Sequence, residues 1–417
     1  MGGPSRPGSM VAADELAELL ASVRDSLPAY LEDLRRFVDI DCGSYTPAGV
    51  DQIGRWTGEA LAALGGRIEV RPDPTGRLGA TVMATFEGRP GAGPRILLIG
   101  HMDTVFEAGT AAERPFRIED GIATGPGVTD MKSGLLAGIY ALAALRGVAG
   151  GSIADLPFER IVFVANPDEE IGSPTSTPHI REVAATTDAC FVLECARANG
   201  DFVSARKGMA DLRLDIQGRA AHAGVEPEKG RSAVLAGAHL VTAIHDLNGR
   251  WPGVTANVGV FKAGTRPNIV ADRATLEVDV RAVAGADLDA AIAAVEALAA
   301  DPVVADVTVT VETMNSWRPM EKLDRSSRLV EQVVATAARL GFATSDASTG
   351  GASDANTTSG MGVPSIDGLG PIGGNDHAPG EYLLVDSIVP RTTLLAALLL
   401  EVARDPVVAG WRADGGR

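Results

Sequence analysis

Residues 161–173, IVFVANPDEEIGS, decide how this chain is to be read. The run IVFVA is apolar and rich in β-branched side chains, as expected of a strand buried on both faces, and it gives way at once to Asp168, Glu169 and Glu170. Adjacent carboxylates repel one another, so placing three of them at the mouth of a buried strand needs a compensating reason.

The same pattern recurs outward from that stretch. TVMATFEG, RILLIG and DACFVLE read as further strands, with helices predicted near residues 13–39, 50–64 and 131–145. Strands alternating with helices predict a mixed, mainly parallel sheet with covered faces. Around Lys207 the pattern changes to strand MADLRLDIQG, helix RSAVLAGAHLVTAIHDL, strands VTANVGVFKAG and RATLEVDVRA, helix DLDAAIAAVEALAA and strand ADVTVTVETM. That βαββαβ order is ferredoxin-like. After Trp317 the helix and strand alternation resumes, ending in helix TTLLAALLLEVA. The expected organisation is therefore an α/β catalytic domain in two parts, residues 11–206 and 317–417, with an inserted domain at 207–316.

A length of 417 residues agrees with two cores rather than one. The formal charge of -17 excludes a nucleic-acid partner, because phosphate binding requires clustered Lys and Arg. Cys42, Cys190 and Cys195 form no CxxC pair, which excludes a disulfide framework and a cysteine-only zinc site and predicts a reducing, cytoplasmic setting. The opening MGGPSRPGSM lacks the basic-then-apolar order of a signal peptide and is set aside from the fold. Apolar runs such as SGLLAGIYALAAL fall short of the roughly 18 to 20 residues of a membrane span, so no membrane partner is expected.

Four polar clusters stand where strands give way to loops: GHMDTVF with His101 and Asp103, GPGVTDMKSG with Asp130, NPDEEIGS with Glu169 and Glu170, and FVLECAR with Glu194. GGNDHAPGEY adds His377. In open α/β sheets reactive groups gather at the carboxyl ends of strands, so these clusters converge in space. Each alone has a bland reading, as a capping pair, a solvated turn or a strand-ending Glu. Together, two imidazoles and several carboxylates without thiolates suit zinc or a similar divalent ion.

With these motifs, and with GRAAHAG, PNIV, DVR and GGASDAN, the chain resembles the zinc-dependent aminoacylase and carboxypeptidase family, most closely its glutamate carboxypeptidase branch. The resemblance implies two Zn2+ per subunit, with Co2+ or Mn2+ as substitutes: His101, Asp130 and Glu194 around one, and Asp130, Glu170 and His377 around the other. It further implies a cis peptide after Asp130, and an Asp103 that stands behind the ligands and accepts the free ring N–H of His101. Glu169 would be general base and then general acid, while Glu170 is a ligand, and Asp168 would only shape the loop. His222 would stabilise the developing oxyanion, reaching from the other subunit of a homodimer formed through the inserted domain. Asn268, Arg281 and Arg318 would grip the substrate's free carboxylate, although a surface salt bridge competes for Arg318, and Gly350 and Gly351 would let backbone approach the substrate.

The expected reaction is cleavage of an N-acyl amino acid or peptide, releasing a C-terminal amino acid with glutamate favoured. Only Arg197, in CARANGDFV, is available after Glu194 to read a second carboxylate. Alternatives are a deacylase, aminoacylase or dipeptidase acting on neutral or aromatic residues, and a catalytically silent dimeric binder, which Glu169 argues against. No GxSxG elbow and no GxxxxGK[ST] loop is present. His239 and His245 read as helix packing or surface residues, His179 as a loop residue, and Cys195 as a small buried filler.

Overall fold

A computed structural model describes residues 10–411; residues 1–9, set aside above, lie outside it. The chain divides into two compact units, one running up to Ser204 and continuing through Lys322–Ser348 and from Ser353 on, the other comprising Ala205–Glu321 and Thr349–Ala352.

The first unit is built on a six-stranded sheet in the order Arg67–Arg71, Thr81–Glu87, Arg160–Asn166, Arg95–His101, Ala189–Val192, Ser365–Ile366. Strand Arg95–His101 is parallel to both its neighbours, and Ser365–Ile366 is parallel to Ala189–Val192. Thr81–Glu87 runs antiparallel to the strands on either side of it. The inner strands are buried along nearly their whole length, which is why their sequences read as continuous apolar runs rather than as alternations. Helices Ala13–Val38, Ser133–Val148 and Val385–Ala403 pack on one another within the core. The last begins seven residues before the predicted TTLLAALLLEVA, since it carries Pro390 inside it. Pro390 is the sixth residue of this helix, past the first turn, so the ladder forgoes its backbone bond to Asp386 while the helix runs on.

A π turn, Val128–Lys132, in which Asp130 and Met131 leave helical angles, leads into helix Ser133–Val148, and together these 21 residues are long and apolar enough to cross a membrane, where the sequence reading expected a shorter run. That segment is 83% buried inside the fold, as a core helix would be.

The second unit has a four-stranded antiparallel sheet, in the order Thr255–Ala263, Arg273–Ala282, Gly208–Gln217, Thr308–Trp317. Helices Ala233–His245 and Gly285–Ala300 pack on this sheet and on each other. Its chain order is βαββαβ. Burial alternates strictly along Arg273–Ala282, with Ala274, Leu276, Val278, Val280 and Ala282 pointing into the unit's own core.

Candidate metal centre

Sheet register places the first residues of the centre. His101 is the last residue of its strand and lies opposite Asn166, beyond which the chain turns through Glu169 and Glu170. On the other side Ile99 lies opposite Val192, so two residues further on His101 and Glu194 come level. Three neighbouring parallel strands thus deliver an imidazole and three carboxylates to one end of the sheet.

Asp130 arrives from the start of the helical segment, and its peptide bond to Met131 is cis. The preceding Gly127 has φ +71, and a Cβ there would meet Thr104 Cγ2 at 2.5 Å, so only glycine lets the loop pass. His377 comes from a loop where it and Asn375 both hold positive φ.

The side chains sort into two triads that share one carboxylate. His101 Nε2 lies 3.2 Å from Asp130 Oδ1 and 3.6 Å from Glu194 Oε1, whereas His377 Nε2 lies 3.2 Å from Asp130 Oδ2 and 3.1 Å from Glu170 Oε2. Ligand atoms of His101, Glu169 and Glu194 also fall within 4.8 Å of one another, as do those of His101, Asp130 and Glu170. The sorting by closest approach is the more physical one, because it gives each oxygen of Asp130 its own imidazole.

The electrostatics ask for positive charge. Burial pushes the Glu169 carboxyl well up, aided by the Glu194 and Glu170 carboxylates. Burial likewise raises Glu170, against the hydrogen bond from His377. Burial lowers His101, but Glu194, Asp103 and Asp130 outweigh it and hold the ring well above its usual value. Hydrogen bonds to Asp130 and Glu170 carry His377 up to about 10. So many carboxylates around two imidazoles retain protons where a cation would otherwise sit, and this hard oxygen and nitrogen donor set fits a divalent metal.

Asp103 does more than was expected of it. The ring nitrogen His101 Nδ1 is 3.0 Å from the backbone carbonyl of Asp103 and 3.4 Å from its carboxylate. The carboxylate accepts the backbone N–H groups of Glu169 at 3.1 Å and Glu170 at 3.2 Å, together with the Ser44 hydroxyl at 2.6 Å. It therefore fixes the turn that carries both glutamates. Asp168 is turned away from the cluster: its carboxylate accepts from the Thr175 N–H and hydroxyl and from the Ser176 hydroxyl, shaping the loop. Beneath the same turn, buried Asp354 accepts from Asn166 Nδ2 and from the Ser173 hydroxyl, and burial raises its carboxyl to about 7.

The remaining predicted residues lie in the second unit. His222 pairs with Ile269 in a short antiparallel ribbon, and Ala223 N–H donates to the Asn268 carbonyl, so His222 and Asn268 are neighbours. His222 Nδ1 accepts the Gly224 N–H at 3.1 Å, which assigns the ring proton to Nε2. The Arg281 guanidinium is held by Asp279 at 3.1 Å and by the Gly350 carbonyl at 2.9 Å, and the Gly351 carbonyl accepts from Arg206 at 3.1 Å. Neither glycine has positive φ, and a Cβ at Gly350 would meet open space, so neither crowding nor backbone conformation demands glycine there. Arg318 forms an exposed ion pair with Asp289, the competing reading given for it above.

A match to peptidase family M20/M25/M40 runs over residues 97–401 and takes in every residue of the centre. The chain belongs to this family. Among relatives of this M20 chain, carboxypeptidase G2 of Pseudomonas sp. (strain RS-16) is 29% identical over 399 residues, 94% of each chain. Acetylornithine deacetylase of Edwardsiella ictaluri (strain 93-146) is 28% identical, covering 81% of this chain and 88% of that one. The structure of aminopeptidase PepT from Bacillus cereus ATCC 10987 superposes with a TM-score of 0.73 at 25% identity, over 90% of this chain and 99% of that one. The M20 chain is thus a hydrolytic enzyme of a metal-dependent family.

Sequence reasoning assigned no role to Ser44, Asp354 or Glu381, although each holds part of this M20 centre in place. Only Glu381 had a readable signal, as an acidic residue four places after His377 on a loop already singled out. Cys195 is buried, and burial pushes its thiol well up, in keeping with a filler. His245 ends the helix Ala233–His245, on which His239 also lies, whereas His179 lies on helix Thr177–Ala184 rather than in a loop.

Proposed function

We propose that this M20 hydrolase cleaves the amide of an N-acyl amino acid or peptide and releases the C-terminal amino acid, with glutamate favoured. The observation that carries the reading is Asp130 standing between two triads, with Glu169 beside them. His101, Asp130 and Glu194 would hold one zinc ion and Asp130, Glu170 and His377 the other. Bound there, the pair supplies Lewis acidity that polarises the scissile carbonyl and makes water a nucleophile near neutral pH.

The chain's own residues do the rest. Glu169 takes the proton of the attacking water on its carboxylate and returns it to the departing amide nitrogen. Glu170 leaves the same turn toward His377, so adjacent glutamates serve different purposes. Asp103 holds both by their backbone N–H groups, so the base does not drift as charge shifts. His222, with its proton on Nε2, is suited to donate to the developing oxyanion and would do so from the partner subunit of a homodimer. Asn268 and Arg281 are proposed for the substrate's carboxylate. Arg318 is not carried forward, since Asp289 engages it at the surface.

A second reading, an N-acyl-amino-acid deacylase acting on neutral or aromatic residues, is favoured by one observation. Arg197, the cation available to read a side-chain carboxylate, donates to the Cys195 carbonyl at 3.4 Å, and its charge opposes the burial that raises the Asp376 carboxyl. The test is amino-acid release by zinc-loaded enzyme from N-benzoyl conjugates of glutamate, leucine and phenylalanine. Preference for glutamate supports the carboxypeptidase reading, preference for leucine or phenylalanine supports the deacylase, and no release from any of them contradicts both.

A further inference from the structure

Glu381 is 1% exposed and makes no ion pair among the described residues, and its carboxylate is instead surrounded by backbone donors. Glu381 Oε2 accepts the Gly127 N–H at 2.8 Å, while Oε1 accepts the N–H groups of Thr129 at 2.8 Å and Asp130 at 3.0 Å. These donors belong to the irregular turn at 127–130 that leads into helix Ser133–Val148, where Asp130 and Met131 leave helical backbone angles. One carboxylate therefore satisfies three backbone N–H groups of this turn at once. Glu381 lies four residues after His377 on the same loop, and Gly380 ties that loop internally by accepting from Asn375 Nδ2 at 3.1 Å. One buried side chain thereby fastens the loop that presents Asp130 to the loop that presents His377.

We propose that Glu381 is a positioning residue that holds Asp130 and His377 at the spacing the outer metal position requires, outer meaning the one formed by Asp130, Glu170 and His377. The inner position has an independent frame, since His101 and Glu194 are set by sheet register. Loss of the clamp should therefore act unequally on the two metals. The inference rests on the two-metal reading above.

Glu381→Gln keeps the shape of the side chain but turns an NH2 group toward one of the three N–H donors, and Glu381→Ala removes the clamp. The experiment measures zinc stoichiometry and the two zinc affinities by chelator competition on the full-length protein, alongside thermal unfolding of the metal-free forms. For Glu381→Gln we expect the weaker zinc to lose about 10- to 100-fold in affinity and the tighter one to shift less than about threefold. Glu381→Ala should hold a single zinc; should that variant fail to fold, Glu381→Gln carries the test alone. Wild-type affinity for both ions in Glu381→Gln would overturn the proposal, and equal weakening of both would reduce Glu381 to a general structural role. Asp130→Asn separates the two levels. If it still binds two zinc ions as tightly as wild type, the two-metal reading fails first; if it loses them while Glu381→Gln does not, only the inference about Glu381 fails.

Discussion

His101 and His377 bring the same ring to the same cluster, yet the His101 side chain is 1% exposed and that of His377 is 56% exposed. His101 ends a central strand with parallel neighbours on both sides, and Glu194 is brought level with it by register. His377 sits on a loop at positive φ, and that loop is joined to its surroundings through the Glu381 carboxylate. One half of the centre inherits its geometry from the sheet ladder, while the other acquires it from a few side-chain clamps. The ladder half cannot relax without disturbing the core, so rigidity and metal retention should concentrate there, and the clamped half should exchange its ion more readily.

The largest expected effect lies where the two halves meet. Glu169→Gln should lower turnover by about 10²- to 10⁴-fold, with zinc stoichiometry intact, as read by steady-state kinetics beside metal analysis. Next, His101→Ala should strip zinc from both positions, because it removes the end of the centre that the sheet ladder sets, whereas His377→Ala, on the clamped loop, should keep one tightly held ion. Equal losses in chelator titrations of the two variants would break the comparison. Asp103→Asn places an amide donor against the Glu169 or Glu170 N–H and should cost about 10- to 100-fold in kcat, with little change in KM. Smallest is Ser44→Ala, which removes one hydrogen bond to Asp103, worth about 1 kcal/mol or roughly fivefold in kcat. A larger loss than that of Asp103→Asn would mean that the hydroxyl, not the carboxylate, organises the turn.

The same contrast explains what could be read from the sequence. Strand-borne residues were legible because an apolar run broken by His101, Glu169 or Glu194 has few physical explanations, and a parallel sheet gathers such breaks at one end. The inserted βαββαβ unit was legible because its half-buried strands alternate, as along Arg273–Ala282. His377 was singled out as a fifth polar cluster, but its partners came only through family resemblance, since nothing in a glycine-rich loop foretells which way it folds back. Glu381 and Ser44 were missed because their partners are backbone N–H groups and a distant carboxylate, which leave no periodicity. The start of the last helix was misplaced because a proline ordinarily signals a boundary, whereas this helix runs through Pro390. Asp103 lies beside His101, with its backbone carbonyl nearer the ring than its carboxylate, and its hold on residues 66 and 67 positions further along depends on a contact that only the folded chain creates.

Glu169 is proposed to move the proton at a centre held by its neighbours. The most direct test is turnover and zinc content measured together on wild type and Glu169→Gln with a substrate that wild type cleaves. The account predicts two zinc ions per chain in both proteins and a loss of turnover in the variant of about a thousandfold. Turnover within tenfold of wild type at full zinc content would contradict it.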